Sequence, residues 1–501
     1  MSPPSGHPPT RDIELPPSHR WRAYWIAVSV AALTILDLTK VNVALPAIET
    51  ALGADPTQVQ LIVSGFILTF GLVLVPAGRL GDQRSRRVLF LVGLSLYLLT
   101  SLGCALAPDA TLLLVFRLLQ GVAAGIQMPQ VLGLIQQLFV GAERGRAFGL
   151  FGATISISTA FGPTLGGLLI AVGGEADGWR LIFWMNVPLV IIVMALAAWL
   201  LPDTRTRSHR PLDLDPVGVV LFGLSVLAFL WPFLFTTGSP DDDPRRWWLL
   251  VVCVFFVAMF LLWEHRYAAR GRVPLIPFSV FQRVSYRNGV LVSTAYFAGA
   301  PAMFLLGTLY LQFGLKIAPV FAGMVTIGFA AASALSSWVG GVYVSRIGRP
   351  LVVWGLVGLL VSVGGLVLAV LFTPAEWTPW AMAAVMVLSG LAAGVVISPN
   401  QTLMLAEVPV RQGGVAGSIG QLGQRIGTAV GTAVALALFY ATVYREKGTE
   451  PDPVVFHDAY AVGMTSVGVF LGLALIAAVV DLAVRRRDGE PPLLAAPDQT
   501  P

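Results

Sequence analysis

The chain has 501 residues, 56% of them hydrophobic and only 12% charged, with a mean hydropathy of +0.78. That much apolar surface excludes a soluble domain, because only lipid can solvate it. The net charge of +5 does not make a nucleic-acid surface, since the arginines are scattered through short loops and not gathered on one face.

The first residues are rich in proline and polar groups, so 1–21 reads as a disordered tail and not as a cleavable signal. Apolar runs of spanning length follow at 22–46, 59–79, 88–107, 111–139, 147–173, 181–201, 216–236, 248–268, 289–312, 320–345, 351–372, 380–406, 414–443 and 460–483. These predict an all-α integral membrane protein with 14 transmembrane helices. An even number of crossings puts both ends on one side. Twenty-three of the 32 basic residues fall in loops on that side and six on the other, so the positive-inside rule makes both termini cytoplasmic. The segment 202–215, with Pro202, Arg205, Arg207, Arg210 and Pro211, reads as a polar linker. The segment 273–288 mixes Leu275, Ile276 and Phe278 with Arg283 and Arg287, which suits the membrane surface.

Two loops look alike. Gly78-Arg79-Leu80-Gly81-Asp82-Gln83-Arg84-Ser85-Arg86-Arg87 follows span two, and Gly340-Gly341-Val342-Tyr343-Val344-Ser345-Arg346-Ile347-Gly348-Arg349 ends span ten. Equivalence of the two would make 22–201 and 289–483 two six-helix bundles. The intervening 202–288 would then hold a linker, two extra spans and the surface segment, and 484–501 a second cytoplasmic tail. Secondary transporters are often built from such related halves, with the substrate site near the midplane between them.

Charge inside a span is expensive and by default marks an ion or substrate path. Asp37, in Ile35-Leu36-Asp37-Leu38-Thr39-Lys40-Val41-Asn42, lies about 18 Å from Trp25 along a helix. Of 27 acidic residues it is the one placed near a membrane centre; Glu264 and Asp481 are placed at the interfacial ends of their spans. Lys40 leaves the same helix face three residues later. A proton carried on a carboxylate would therefore be carried on Asp37, with Lys40 or Arg117 as the cation that changes its proton affinity as helices move. A self-neutralised pair that only helps helices assemble is the plainer alternative. On span four, Arg117, Gln120, Gln127 and Pro129 make a polar, kinked helix suited to a cavity, although Arg117 could also anchor the span at its outer end. Span thirteen puts Gln421, Gln424 and Arg425 on one face, for packing or for substrate. In span five, Pro163 removes a helix hydrogen bond, while Gly162, Gly166 and Gly167 permit close approach of a neighbour.

Other chemistries find no support. Cys104 and Cys253 lie within apolar runs, and the five histidines form no pair at ligand spacing, so no metal site is expected. There is no Walker-type, HExxH or GxSxG arrangement and no loop long enough for a nucleotide-binding domain. Asp241, Asp242 and Asp243 read as a solvated acidic loop. The chain is not expected to be an enzyme or to need a cofactor.

Together these stretches resemble the fourteen-spanner drug:proton antiporter branch of the major facilitator superfamily over essentially the whole chain. Gly78 to Arg87 looks like its cytoplasmic loop motif, Arg117 to Gly125 its span-four arginine motif, Gly162 to Gly167 its span-five antiporter signature and Leu36 to Pro46 its first-span motif. Trp179-Arg180, Asn186-Val187-Pro188 and Ser398-Pro399-Asn400-Gln401 add further matches. The resemblance implies two six-helix bundles with two extra helices between them in the cytoplasmic (inner) membrane. It further implies alternating-access export of amphipathic small molecules, with the proton gradient as the energy source. Asp37 would serve coupling or cationic substrates, and Arg117 would belong to the proton machinery. Asp82 and Arg86, in a motif with Gly78 and Arg87, would form a charge latch. Gly162 and Pro163 would shape span five and limit leak. Asn42, Phe66, Gln127, Phe297, Tyr310, Gln424 and Arg425 are candidate cavity residues beside Asp37.

Two residues depart from the family pattern. Ser85 stands where the loop motif usually has glycine. Lys40 replaces a residue that is usually apolar: a cavity lined by Asp37 alone would favour lipophilic cations, whereas one with Asp37, Lys40, Arg117 and Arg425 would prefer neutral, zwitterionic or anionic compounds. The expected partners are small amphipathic molecules, protons and lipid, with no nucleic acid, and a monomer would suffice. An exporter or flippase of a lipid or endogenous metabolite, and a non-transporting receptor or scaffold on the same fold, remain open as alternatives.

Overall fold

A computed structural model describes residues 16–202, 215–236, 242–446 and 452–488. Fourteen helices are long and apolar enough to span a membrane: α1 Pro17–Leu52, α2 Thr57–Gln83, α3 Arg86–Leu106, α4 Ala110–Leu138, α5 Gly141–Gly174, α6 Asp177–Leu200, α7 Pro216–Leu234, α8 Pro244–Ala269, α9 Val284–Gly314, α10 Phe321–Ile347, α11 Arg349–Phe372, α12 Thr378–Met404, α13 Val410–Glu446 and α14 Val454–Arg485. No strand occurs among the described residues. The breaks between helices have local causes. Gly53 closes α1 in the left-handed region at φ 58°. The Asp55 carboxylate accepts from the N–H groups of Thr57 and Gln58 at the start of α2, and Asp109 caps α4 through Leu112. Gly174, at φ 79°, turns α5 into α6.

The helix pairings repeat. In the first half α1 packs on α5 and α6, α2 on α4, and α3 on α4 and α6. In the second half α9 packs on α13 and α14, α10 on α12, and α11 on α12 and α14, which is the same scheme eight helices later. The seam obeys the same relation, since α2 lies on α13 and α10 on α5. Glycines bring these backbones together. A Cβ on Gly78 would come 2.7 Å from the Gly414 carbonyl oxygen, and one on Gly341 would come 2.5 Å from both the Gly145 carbonyl oxygen and the Gly149 Cα. The helices α7 and α8 pair with each other, and α7 leans on α2 and α13. Large apolar side chains such as Trp199, Trp354 and Phe372 remain exposed, as lipid-facing positions require.

Several expectations need correcting. Residues 17–21, assigned to a disordered tail, are helical. Arg20 Nη1 lies 3.0 Å from Glu143 Oε2, and Trp21 Nε1 donates to Glu143 Oε1 at 3.2 Å, so the tail's end is tied to the start of α5. At the other end, α14 continues into the segment assigned to the second tail. Glu264 and Asp481, near the ends of their spans, are fully buried in the protein. Glu264 accepts the N–H groups of Leu275 and Ile276, both at 3.2 Å, which turns the expected surface segment inward. Asp481 is ion-paired with Arg349 and accepts from Asn288 Nδ2 at 3.1 Å. Burial of these carboxylates is possible because each has donors waiting for it. The tail before residue 16, most of the 202–215 linker and Asp241 lie outside the described residues.

Candidate functional site

Asp37 lies about 30 Å along α1 from Pro17, deep in the first bundle, and is fully buried. Three helices besides its own supply the surroundings. From α4, Arg117 Nη1 donates to Asp37 Oδ2 at 2.8 Å and to Gln120 Oε1 at 2.7 Å, while its Nε donates to the Ile62 carbonyl at 3.2 Å. From α6, Asn186 Nδ2 donates to Asp37 Oδ1 at 2.8 Å. Lys40 Nζ lies 3.4 Å from Asp37 Oδ1 and donates to Asn186 Oδ1 at 2.5 Å. From α3, the Ser101 hydroxyl accepts from Gln120 Nε2 at 2.8 Å and from Asn186 Nδ2 at 3.4 Å. Asp37, Lys40 and Arg117 are all 0% exposed, so two cationic side chains share one carboxylate away from water. In a site that costly, removing one partner strands the others.

The glycines of span five hold this cluster from behind. A Cβ on Gly162 would come within 1.8 Å of Thr39 Oγ1, and one on Gly166 within 2.9 Å of the Lys40 carbonyl oxygen. The first-span and span-five motifs are thus one contact, α5 lying directly on the α1 backbone at Lys40. Gly167 has open space instead. Pro163 sits inside α5 between the two contacts.

The loop motif forms the second feature. Arg86 Nη2 lies 2.7 Å from Asp82 Oδ1, and Arg86 also donates to the Gly133 carbonyl. The same carboxylate crosses the seam. Its two oxygens accept the N–H groups of Gly414 and Val415, each at 2.9 Å, at the N-terminal end of α13 where the helix dipole favours an anion. Arg86 Nη2 and Gln136 Nε2 add bonds to the Val410 carbonyl at 3.1 Å and the Leu405 carbonyl at 2.9 Å. Further along the seam the Ser156 and Ser333 hydroxyls are 3.0 Å apart. The two bundles are therefore fastened together from the side of the chain ends to mid-depth. Arg87 leaves this group and donates to the Ala198 carbonyl at the end of α6.

The candidate cavity residues do not form one set. Phe66 is fully buried, with the Arg117 guanidinium 4.4 Å above its ring. Gln127 packs on Gly93 of α3, inside the bundle and away from the seam, because a glycine there leaves it room. Asn42 is exposed, on a different face of α1 from Asp37 and Lys40. Tyr310 is buried within the second bundle, its ring 5.6 Å from His457 and 5.3 Å from Tyr460, and Phe297 stacks on Tyr296 at 5.2 Å. On α13, Gln424 donates to the Ser293 hydroxyl on α9 at 3.2 Å, whereas Arg425 turns to α2 and sits 4.7 Å over the Phe70 ring. Asn186, Ser101 and Phe70 were not singled out as site residues from sequence. The one available signal was for Asn186, an amide inside an apolar span.

Known proteins resemble this chain along most of its length. The family model described as Major Facilitator Superfamily matches residues 27–432. The probable actinorhodin transporter of Streptomyces coelicolor is 31% identical over 424 residues, 82% of this chain and 71% of the relative. The tetracenomycin C resistance and export protein of Streptomyces glaucescens is 30% identical over 415 residues, 80% and 73% of the two chains. A solved structure of the proton:xylose symporter XylE superposes with a TM-score of 0.63 over 93% of this chain and 96% of that one, at 14% identity, a likeness of fold alone. The span-four, span-five and loop motifs, the paired bundles and the family match agree: this multi-pass membrane protein belongs to the major facilitator superfamily of transporters.

Proposed function

We propose that the protein exports amphipathic small molecules across the cytoplasmic membrane in exchange for protons, by alternating access, with both termini in the cytoplasm. The observation that carries this reading is the buried Asp37–Arg117–Lys40–Asn186 cluster, a single carboxylate deep in the first bundle and bonded to three different helices. The name of the tetracenomycin C resistance and export protein supports the direction, and the excess of basic residues on the side of the termini supports the orientation.

In the cycle this reading implies, the Asp82–Arg86 latch on the N-terminus of α13 holds the two bundles together on the cytoplasmic side. A proton taken by Asp37 would remove the anion that Arg117 and Lys40 share. Protonation therefore favours an arrangement in which α1 and α4 separate. Such a change in the pairing of α1, α4 and α6 is what a proton must bias if it is to drive the bundles between two states. The test uses purified protein in liposomes with an imposed pH gradient and an internal pH dye. Adding an amphiphile that the protein carries should dissipate the gradient, and protein-free liposomes should keep theirs. If no compound in a panel of cationic, neutral and anionic amphiphiles moves protons while labelled compound still crosses, the antiport reading is wrong.

A further inference from the structure

Arg425 lies about 22 Å along α13 from Val410, well inside the span, and it differs from the other buried cations. Arg117 and Lys40 share Asp37, Arg349 has Asp481, and Arg144 donates to the carbonyls of Phe139 and Gln136. Arg425 makes no ion pair and no hydrogen bond among the described residues, and its Nε is buried without a partner. Its one marked contact is the face of Phe70 across the seam, 4.7 Å from the guanidinium carbon. The residue is not sealed in, since part of its surface remains accessible. An arginine at that depth with no anion is costly to keep, and a guanidinium is a fork that binds a carboxylate through two parallel hydrogen bonds. Phe70 is rigidly placed. It is fully buried and stacked edge-on to Phe66 at 6.1 Å, and Phe66 in turn lies under Arg117.

We propose that Arg425, held on Phe70 at the seam between the bundles, is the seat for the anionic group of an organic anion carried by this protein. This rests on the export reading above and names its cargo class. The anion completes the pairing that the fold leaves open. The stack Arg425–Phe70–Phe66–Arg117 also joins the seat to the Asp37 cluster through two residues one turn apart on α2, so movement of α2 is felt at both. A lipid phosphate offers the same chemistry from a second source.

The test is equilibrium binding to the full chain in nanodiscs with no gradient, so a failure of proton coupling leaves it readable and its own failure leaves antiport standing. The probes are 1-pyrenebutyrate and its uncharged amide, in phosphatidylcholine and in phosphatidylglycerol discs. Wild type should bind the carboxylate about tenfold more tightly than the amide. Arg425→Gln should abolish that preference, Arg425→Lys should keep part of it, and Phe70→Leu, which removes the face that holds Arg425, should weaken binding of the carboxylate. Because Arg425→Gln removes an unpaired charge, its thermal midpoint should not fall, which separates loss of the seat from loss of the fold. Equal binding of the two probes by wild type, or a preference that survives Arg425→Gln, overturns the proposal. Loss of the preference in phosphatidylglycerol discs alone assigns the seat to a lipid phosphate and overturns the substrate assignment.

Discussion

At Asp37 the decisive fact is arithmetic: one carboxylate for two cations, none of the three exposed to solvent. Asn186 makes this workable by bonding the carboxylate with its N–H and the ammonium with its oxygen. Asn186→Leu should therefore lower the thermal midpoint in detergent, at about 1–3 kcal/mol for the groups left without partners. An unchanged midpoint would mean that the amide is incidental. Asp37→Asn alone should cost about 3–5 kcal/mol by stranding the cations, and adding Lys40→Met should restore much of that loss. Additive losses in the double variant would show that the residues are not one unit. The sequence made Asp37, Lys40 and Arg117 legible because charge inside an apolar run stands out. Asn186 is neutral and 149 residues from Asp37. Phe70 is one phenylalanine among 27, with nothing in its neighbourhood to mark it. Burial with a partner also hides from sequence: Asp481 and Glu264 sit near helix ends where an interfacial place is the natural reading, and only the fold supplies Arg349 to one and two backbone N–H groups to the other.

Among the helices, α5 carries the sharpest contrast. Gly166 lies on the Lys40 backbone and Gly167, the next residue, faces open space. Gly166→Val should push α5 off α1 and lower both folded yield and transport, whereas Gly167→Ala should leave both within error. Equal tolerance at the two positions would break the link between the span-five motif and the Asp37 cluster. The helices themselves were readable because a spanning run needs about 20 apolar residues, a signal that survives the many glycines. What a run cannot show is facing. Gln127 and Tyr310 are polar enough to suggest a cavity, but what each packs on comes only from the fold: Gly93 for Gln127, His457 and Tyr460 for Tyr310.

Over the whole molecule, the repeated pairing scheme gives the seam two matching contacts, α2 on α13 and α5 on α10. Ser156 and Ser333 mark its mid-depth contact, their hydroxyls 3.0 Å apart. A Ser156→Cys/Ser333→Cys pair, in a background lacking Cys104 and Cys253, should cross-link under mild oxidation, stop transport and release it on reduction. Asp82→Asn should reduce cross-linking by loosening the latch at α13. Full transport in the cross-linked protein would rule out opening along this seam.

The most direct test of proton-coupled export through Asp37 compares wild type, Asp37→Asn and Asp37→Asn/Lys40→Met in liposomes with an internal pH dye, using one amphiphile that all three bind. The compound should collapse an imposed pH gradient through wild type and through neither variant, although both remain folded and bind it. If Asp37→Asn collapses the gradient as fast as wild type, the proton travels by another group and the central claim is wrong.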